Sequence, residues 1–286
     1  MAFKEYENID ELRKLQRAIA SVLFDFVKVC EELDINYFAY GGTCIGAVRH
    51  KGFIPWDDDV DVAMLRSDYE KFLREAPALL GDKYRIDNSR TQANYPSPFS
   101  YLALVDTVNI PEAFETCEWV RSIGIDIFPL DRVSEVQSTR RRQLRGTWFW
   151  GRLGFLRATP RPYLPFDGAK RHLVYFVCGI AHRLLTLFRI SPQFIQDRWE
   201  KCATLANDED TRLVADFSDR HPLTWSFTLQ EIFPLVDGEF NGRGIKLPRE
   251  WDKLLTRQYG SYMELPPEEQ RKNHYPVCLD FGPYSE

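Results

Sequence analysis

The chain has 286 residues, 44% hydrophobic and 28% charged, which supplies a core for one large domain or for a core domain with an elaborated lobe and excludes a disordered chain. Its formal charge of −5 at pH 7 excludes a general nucleic-acid coat protein. That average hides an uneven distribution, because Arg140 to Phe194 carries eleven basic residues against one acid, Asp167, and leaves the remainder strongly acidic.

In chain order, Ile9, Leu12, Leu15, Ile19, Leu23, Phe26, Cys30 and Leu33 recur at three- and four-residue steps and predict a long helix, with Asn8 and Glu11 as a capped start. Tyr37–Tyr40 reads as a short strand broken by Gly41-Gly42, Thr43–Arg49 as a short helix, and Lys51-Gly52 as a loop. Val60–Leu65 suits a buried strand and Ser67–Leu80 a helix. Tyr84–Asp87, Tyr101–Asp106 and Ile123–Leu130 read as further strands between polar loops. The basic stretch runs from Arg140 past Pro160, Pro162 and Pro165 into an apolar helical run, and another helix follows Pro192 through Trp199 and Leu205. Glu231–Leu247 holds two hairpin signals, Asp237-Gly238 and Asn241-Gly242; Glu250–Tyr259 reads as a helix, and the tail after Pro266-Pro267 as irregular. The order of helices and strands is an α/β or α+β pattern.

The N-terminus is charged and lacks an apolar leader. The six cysteines are scattered without a CxxC pair, which argues against zinc or a disulfide framework. Together these predict a reducing, cytoplasmic setting. The longest apolar run, within Leu173–Ala181, is nine residues, far short of the roughly 20 that cross a bilayer.

The chemistry concentrates in Gly52–Met64, where Asp57, Asp58, Asp59 and Asp61 fall within five residues and repel one another unless cations neutralise them. A solvated acidic turn accounts for Asp57 and Asp58. It accounts poorly for Asp61, which lies between Val60 and Val62 in an apolar run. Residues i and i+2 of a strand share a face, so Asp59 and Asp61 are expected side by side, a pair of hard oxygen ligands for magnesium or manganese. Asp126, in Gly124-Ile-Asp-Ile-Phe-Pro-Leu130, repeats the anomaly of a carboxylate in an apolar strand and is a third candidate ligand, also placed to draw the proton from an attacking hydroxyl. Gly41-Gly42-Thr43 stands at a strand-to-helix turn suited to phosphate, although a simple tight turn would look the same. Arg49, His50 and Lys51 lie between the turn and the acidic run, as phosphate contacts or as ordinary surface charge. An EF-hand is excluded because its glycine position falls on Val62 and its bidentate glutamate on Asp68. A Walker A loop is excluded because Ala47-Val48 follows Gly46.

The run Tyr40-Gly-Gly-Thr-Cys-Ile-Gly-Ala-Val-Arg-His-Lys-Gly-Phe-Ile-Pro-Trp-Asp-Asp-Asp-Val-Asp-Val-Ala-Met64 closely resembles the signature of the LicD family, of the nucleotidyltransferase-fold superfamily that includes the fukutin-related proteins. Ile125–Asp131 resembles its second block, and Glu239–Gly242, Leu247-Pro248, Tyr259-Gly260 and Pro266 to His274 its C-terminal region. The resemblance implies an α+β, nucleotidyltransferase-like mixed sheet flanked by helices, with a basic helical lobe. Residues 1–133 would form the catalytic core, 134–225 the basic, aromatic-rich lobe, and 226–286 a region packing back on the core. It implies a magnesium-dependent transferase that moves phosphocholine from CDP-choline to a hydroxyl of a cell-surface or lipid-linked glycan. Ribitol-phosphate, glycerol-phosphate or phosphonate donors, or a catalytically silent glycan-binding role, are the alternatives. Carried onto this sequence, Asp59, Asp61 and Asp126 match the metal-binding and catalytic carboxylates. Gly41, Gly42 and Thr43 match the phosphate-holding turn, with Arg49 and Lys51 as further substrate contacts. A choline head group calls for aromatic faces; Trp56, Tyr101 and Trp119 are nearest in sequence and equally suit a core. Cys44 is expected to pack on the short helix, and His274 falls in the C-terminal block. The 140–194 region joins basic charge to ten aromatics, the composition of a surface-lying membrane contact at the inner face or of an acceptor surface.

Overall fold

In the computed structural model, residues 6, 8–162, 164, 168–271 and 273–285 are described. The charged N-terminus (Met1–Glu5 and Glu7), Pro165 and Asp167 lie outside them. The apolar periodicity winds α1 (Ile9–Glu32), which buries Leu12, Leu15, Ile19, Leu23, Phe26 and Cys30 along one side. The Asn8 side chain caps it by accepting from the Asp10 backbone N–H. Next come β1 (Phe38–Ala39), α2 (Gly41–Ile45), a wider π-helical turn at Gly46–His50, β2 (Asp61–Leu65), α3 (Arg66–Leu80) and β3 (Tyr84–Asp87). Then follow β4 (Ser100–Leu104), β5 (Val108–Pro111) and the long β6 (Gly124–Arg132). Helices α4 (Gln137–Ala158), α5 (Ala169–Leu187) and α6 (Pro192–Ala203) precede β7 (Leu213–Ala215) and β8 (Ser226–Thr228). The chain ends through α7 (Leu229–Ile232), β9 (Val236–Phe240), β10 (Arg243–Leu247), α8 (Trp251–Tyr259) and β11 (Pro276–Asp280).

A seven-stranded sheet carries the order β1-β2-β6-β4-β3, with β7 joined to the far end of β6 and β8 to β7. Only β2 and β6 run parallel; every other pairing is antiparallel, so the sheet is mixed and the fold is α+β. Helices α1 and α3 cover one face, where Phe26 and Phe72 meet at 5.2 Å between ring centroids.

Several expectations needed correction. The strand begins at Asp61, so Asp59 sits in the extended approach to β2 and not within it. The first short helix starts at Gly41, ahead of Thr43. Asp237-Gly238 lies inside β9, and the hairpin turn is Asn241-Gly242, both residues with positive φ. The tail is not irregular throughout, because β11 pairs with β5, an element without a local signal. Helix α4 was hidden because its buried residues include the polar Gln143 and Thr147, so no apolar stripe marks it. Gln143 bridges the Arg132 and Ala203 carbonyls and the Ser134 N–H. Gly146 lets α4 approach α6, since a Cβ there would stand 2.4 Å from Cys202 Sγ.

The second-block acid Asp131 is fully buried at the end of β6, held by Arg66 through Nε (2.9 Å) and Nη2 (2.7 Å) and by Asn207 Nδ2 (2.7 Å). Its task is to tie α3 to the sheet. Asp131→Ala leaves the nearly buried Arg66 guanidinium with Glu70, at 3.4 Å, as its remaining acid and should cost about 3 kcal/mol in urea unfolding. Burial pushes the carboxyl of Asp216, beside β7, up to about 6, against hydrogen bonds from the Ser218 N–H (2.8 Å) and hydroxyl (2.5 Å). A raised acid favours the folded state while protonated, so this contribution is lost as pH climbs from about 4 to about 6. Asn can keep both Ser218 bonds. The parent should therefore lose on the order of 2 kcal/mol relative to Asp216→Asn across that window, read from denaturation midpoints.

Candidate active site

The parallel ladder sets Asp61 of β2 opposite Asp126 of β6, and the next pairings continue the row to Tyr101 of β4 and Asp87 of β3. Register partners point to the same face, so the row crosses four strands on one side of the sheet. Its outer member is a structural acid: Asp87 is fully buried and takes the Trp119 Nε1–H (3.0 Å) and the Arg85 guanidinium (2.5 Å). The two central carboxylates lack such satisfaction. Asp126 has one strong partner, Arg121 Nη2 at 3.0 Å, a buried guanidinium lying 4.5 Å from the Tyr101 ring centroid.

The glycine turn comes up against these carboxylates. Gly41, at φ +53°, would place a Cβ 3.6 Å from Asp61 Oδ2 and 3.4 Å from the Tyr259 hydroxyl; the same construction at Gly42 falls 3.1 Å from Asp57 Oδ2. Thr43 Oγ1 accepts the Asp61 N–H at 2.8 Å, bracing the start of β2. The turn therefore shapes and roofs the carboxylate site.

Asp58 anchors the acidic loop. Only 3% exposed, it accepts from the Tyr6 hydroxyl (2.8 Å) and from the His274 backbone N–H (2.7 Å), 216 residues away in sequence. That contact brings the half-exposed imidazole of His274 to 3.2 Å from Asp59 Oδ2. Asp59 and then Asp58 hold the imidazolium above its ordinary range. Burial, with Asp59 next, pushes the Asp57 and Asp61 carboxyls well above the usual carboxylate range. Burial and Asp59 also raise Asp126, which Arg121 restrains to about 6.

Asp57, Asp58, Asp59, Asp61 and Asp126 thus share one site, where the cations acting on them are Arg121 and His274. An excess of oxygen donors and negative charge in a partly dry site fits a hard divalent cation. Ligand atoms of Asp57, Asp58 and His274 lie within 4.8 Å of one another. Asp58 is already satisfied by protein donors, and imidazole is a poor match for magnesium. Asp59 pairs with His274 and Asp126 with Arg121, whereas Asp57 and Asp61 have no ion pair among the described residues. Asp59, Asp61 and Asp126 are the three that line the approach and the strand ladder.

Arg49 is committed elsewhere: Nε donates to His50 Nε2 at 2.9 Å, and Nη1 donates to the carbonyls of Tyr262 and Glu264. Lys51 is exposed with φ +58°, and its carbonyl accepts the Asn241 N–H at 2.7 Å. Among the described residues, no hydrogen bond or ion pair joins Arg49 or Lys51 to the carboxylates. Of the aromatic candidates, Tyr101 and Trp119 are buried in a cluster with Tyr95. Half-buried Trp56 carries the Arg271 guanidinium at 4.7 Å. Cys44 is buried. The aromatics that do flank the turn are Tyr259 and Trp225, 5.6 Å apart, with Tyr40 behind them at 5.2 Å from Trp225. Neither Trp225 nor Arg121 bears a local sequence signal, because both reach the site only through sheet pairings.

The strand carboxylates beneath a glycine turn, on a mixed sheet, fall in the part of the chain that is similar to a nucleotidyltransferase domain. The family model for the LicD/FKTN/FKRP nucleotidyltransferase domain matches residues 34–155, which include the turn, β2 and Asp126. Over 274 residues, 92% of this chain and 96% of the relative, the sequence is 30% identical to the lipopolysaccharide cholinephosphotransferase LicD of Haemophilus influenzae. Shorter matches reach uncharacterised proteins of Rickettsia typhi, at 36% identity over 72 residues (24% of this chain, 23% of that one), and Rickettsia prowazekii, at 42% over 50 residues (16% and 19%). The chain belongs to the LicD family.

Because Gly41 occupies the left-handed region and lies against Asp61, Gly41→Ala combines backbone strain with a tightened roof. It should destabilise the fold by about 1 kcal/mol in thermal or urea unfolding.

Proposed function

We propose that this protein transfers phosphocholine from a CDP-activated donor to a hydroxyl of a lipopolysaccharide-type glycan, with a divalent cation at Asp59, Asp61 and Asp126. The observation that carries the reading is the pairing of Asp61 with Asp126 beneath the Gly41-Gly42 turn, with a charge that Arg121 and His274 leave uncompensated. Family membership and the similarity to the lipopolysaccharide cholinephosphotransferase of H. influenzae support the choice of phosphocholine and lipopolysaccharide.

In this reading the acceptor oxygen attacks the phosphocholine phosphorus and CMP departs. When bound, magnesium or manganese would offset negative charge on the donor's diphosphate. The chain's own contribution is positioning. Thr43 fixes the backbone of Asp61, Arg121 fixes Asp126, and His274 holds Asp59 in place. Asp126, oriented by Arg121, is the strand carboxylate placed to take the acceptor's proton. Tyr259 and Trp225 supply aromatic faces beside the turn for a quaternary ammonium.

The test incubates the full chain with CDP-choline, lipopolysaccharide and magnesium and follows CMP release and choline incorporation. Asp61→Asn and Asp126→Asn should each lose at least about 100-fold in kcat/KM while retaining cooperative unfolding, the scale on which one preorganised charged group acts. Magnesium should raise the unfolding temperature of the parent and not of Asp61→Asn. Full turnover in both variants overturns the site. A panel with CDP-ribitol and CDP-glycerol separates the donors, and a parent that turns over none of them while binding glycan is a silent member.

A further inference from the structure

Helix α5 breaks the burial rule that the rest of the molecule follows. Over its 19 residues (Ala169–Leu187) only Leu185 is buried, whereas α1 hides nine side chains. Its residues are nevertheless apolar in an ordered way. Leu173, Phe176, Val177, Ile180, Leu184, Leu187 and the following Phe188 recur at three- and four-residue steps and are 42–73% exposed. That spacing is one continuous stripe along the helix. The opposite side does the packing: His182 Nδ1 lies 3.0 Å from the Leu156 carbonyl of α4, and just past the helix the Ile190 carbonyl accepts from Arg157 Nε at 2.9 Å. The helix is thus held to the protein by one side and shows a hydrophobic side to the outside. A stripe of this length is more than scattered surface apolarity.

The charge around the stripe selects the occupant. Neither α4 nor α5 contains an Asp or Glu; α5 carries Lys170, Arg171 and Arg183, and Arg189 follows it, while α4 carries Arg140, Arg141, Arg142, Arg145, Arg152 and Arg157. Association of two copies through this face would set one basic surface against another and cost like-charge repulsion. An anionic bilayer supplies both an apolar medium for the stripe and phosphates for the flanking cations. No single helix of the described residues is long and apolar enough to cross a membrane; α5 has that composition only together with the segment Pro192–Ala206, which is bent from it by 103° and buries Ile195, Trp199 and Ala203 in the protein. A helix about 28 Å long, by a rise of 1.5 Å per residue, with cations at both ends and an apolar side between them, suits the plane of the interface instead.

We infer that α5 is an in-plane membrane anchor that seats the protein on anionic lipid. The inference rests on α5 and its charges and not on the transfer chemistry, so either can fail without the other.

The test uses the full chain in vesicle co-sedimentation, with mixed phosphatidylglycerol–phosphatidylcholine vesicles against pure phosphatidylcholine at low and high salt. The parent should pellet with the anionic vesicles, weakly with the zwitterionic ones, and less as salt rises. The double variant Phe176→Ser, Leu187→Ser should lose on the order of tenfold in vesicle affinity, and Arg183→Glu should weaken anionic binding alone. Because these side chains are exposed, the variants should unfold at the parent's temperature, which separates lost binding from lost structure. No pelleting with anionic vesicles at low salt overturns the inference, as does unchanged binding by the double variant. A parent that is dimeric without lipid, and that the double variant renders monomeric while neither binds vesicles, assigns the stripe to a second copy and overturns it as well.

Discussion

The parallel pairing of β2 with β6 is the constraint on which the site depends. Asp61 and Asp126 each stand between apolar residues, Val60 and Val62 in one case and Ile125 and Ile127 in the other. Register alone brings them together: Asp61 with Asp126, Val62 with Ile127, Met64 with Pro129. Because strand side chains alternate, a slip of one residue would turn one carboxylate into the apolar core and an isoleucine into the site. Hydrophobic burial on the opposite face therefore enforces an electrostatically unfavourable arrangement on this one. The Asp126 N–H bond to the Val60 carbonyl at 3.0 Å extends that enforcement to the first residue before β2.

A cluster held together against its own repulsion needs bracing from several directions, and the braces come from distant parts of the chain. Tyr6 and His274 grip Asp58 from the two ends of the sequence, and Gln16 of α1 donates to the Asp57 carbonyl at 2.8 Å. The β5–β11 pairing explains why His274 arrives there, since β11 begins at Pro276, two residues on. Arg121 precedes β6 and folds back over Tyr101 to meet Asp126. Each brace limits the freedom of a carboxylate, which is the preorganisation that phosphoryl transfer demands of a protein. Asp131, in the same strand as Asp126, shows the contrasting use of an acid: saturated by Arg66 and Asn207, it carries structure and nothing else.

The uneven charge seen in the composition also resolves into two physical regimes. The acidic excess gathers partly where burial raises carboxyl pKa values, and the basic excess spreads along α4 and α5, outside the sheet. These helices differ in legibility for physical reasons. Helix α5 shows its periodicity plainly, yet periodicity does not reveal that its apolar side faces outward. Helix α4 falls in the lobe expected to be helical, but its bounds carry no apolar stripe because it packs through Gln143, Thr147 and Gly146, residues whose burial is satisfied by hydrogen bonds and close approach.

By itself the sequence determined α1, the buried strands, the Asn241-Gly242 turn and the anomaly of Asp61 and Asp126, because periodicity, turn chemistry and a charge in an apolar run are local properties. It also carried the family resemblance, since the Tyr40–Met64 run is contiguous. Only the tertiary structure decided that Asp59 lies ahead of the strand, that Arg49 reaches back to the 262–264 carbonyls, and that Arg121, His274, Trp225 and Tyr259 surround the site. Those placements follow from strand register and from chain segments as far as 216 residues apart, and no local spacing encodes a contact that long-range pairing creates.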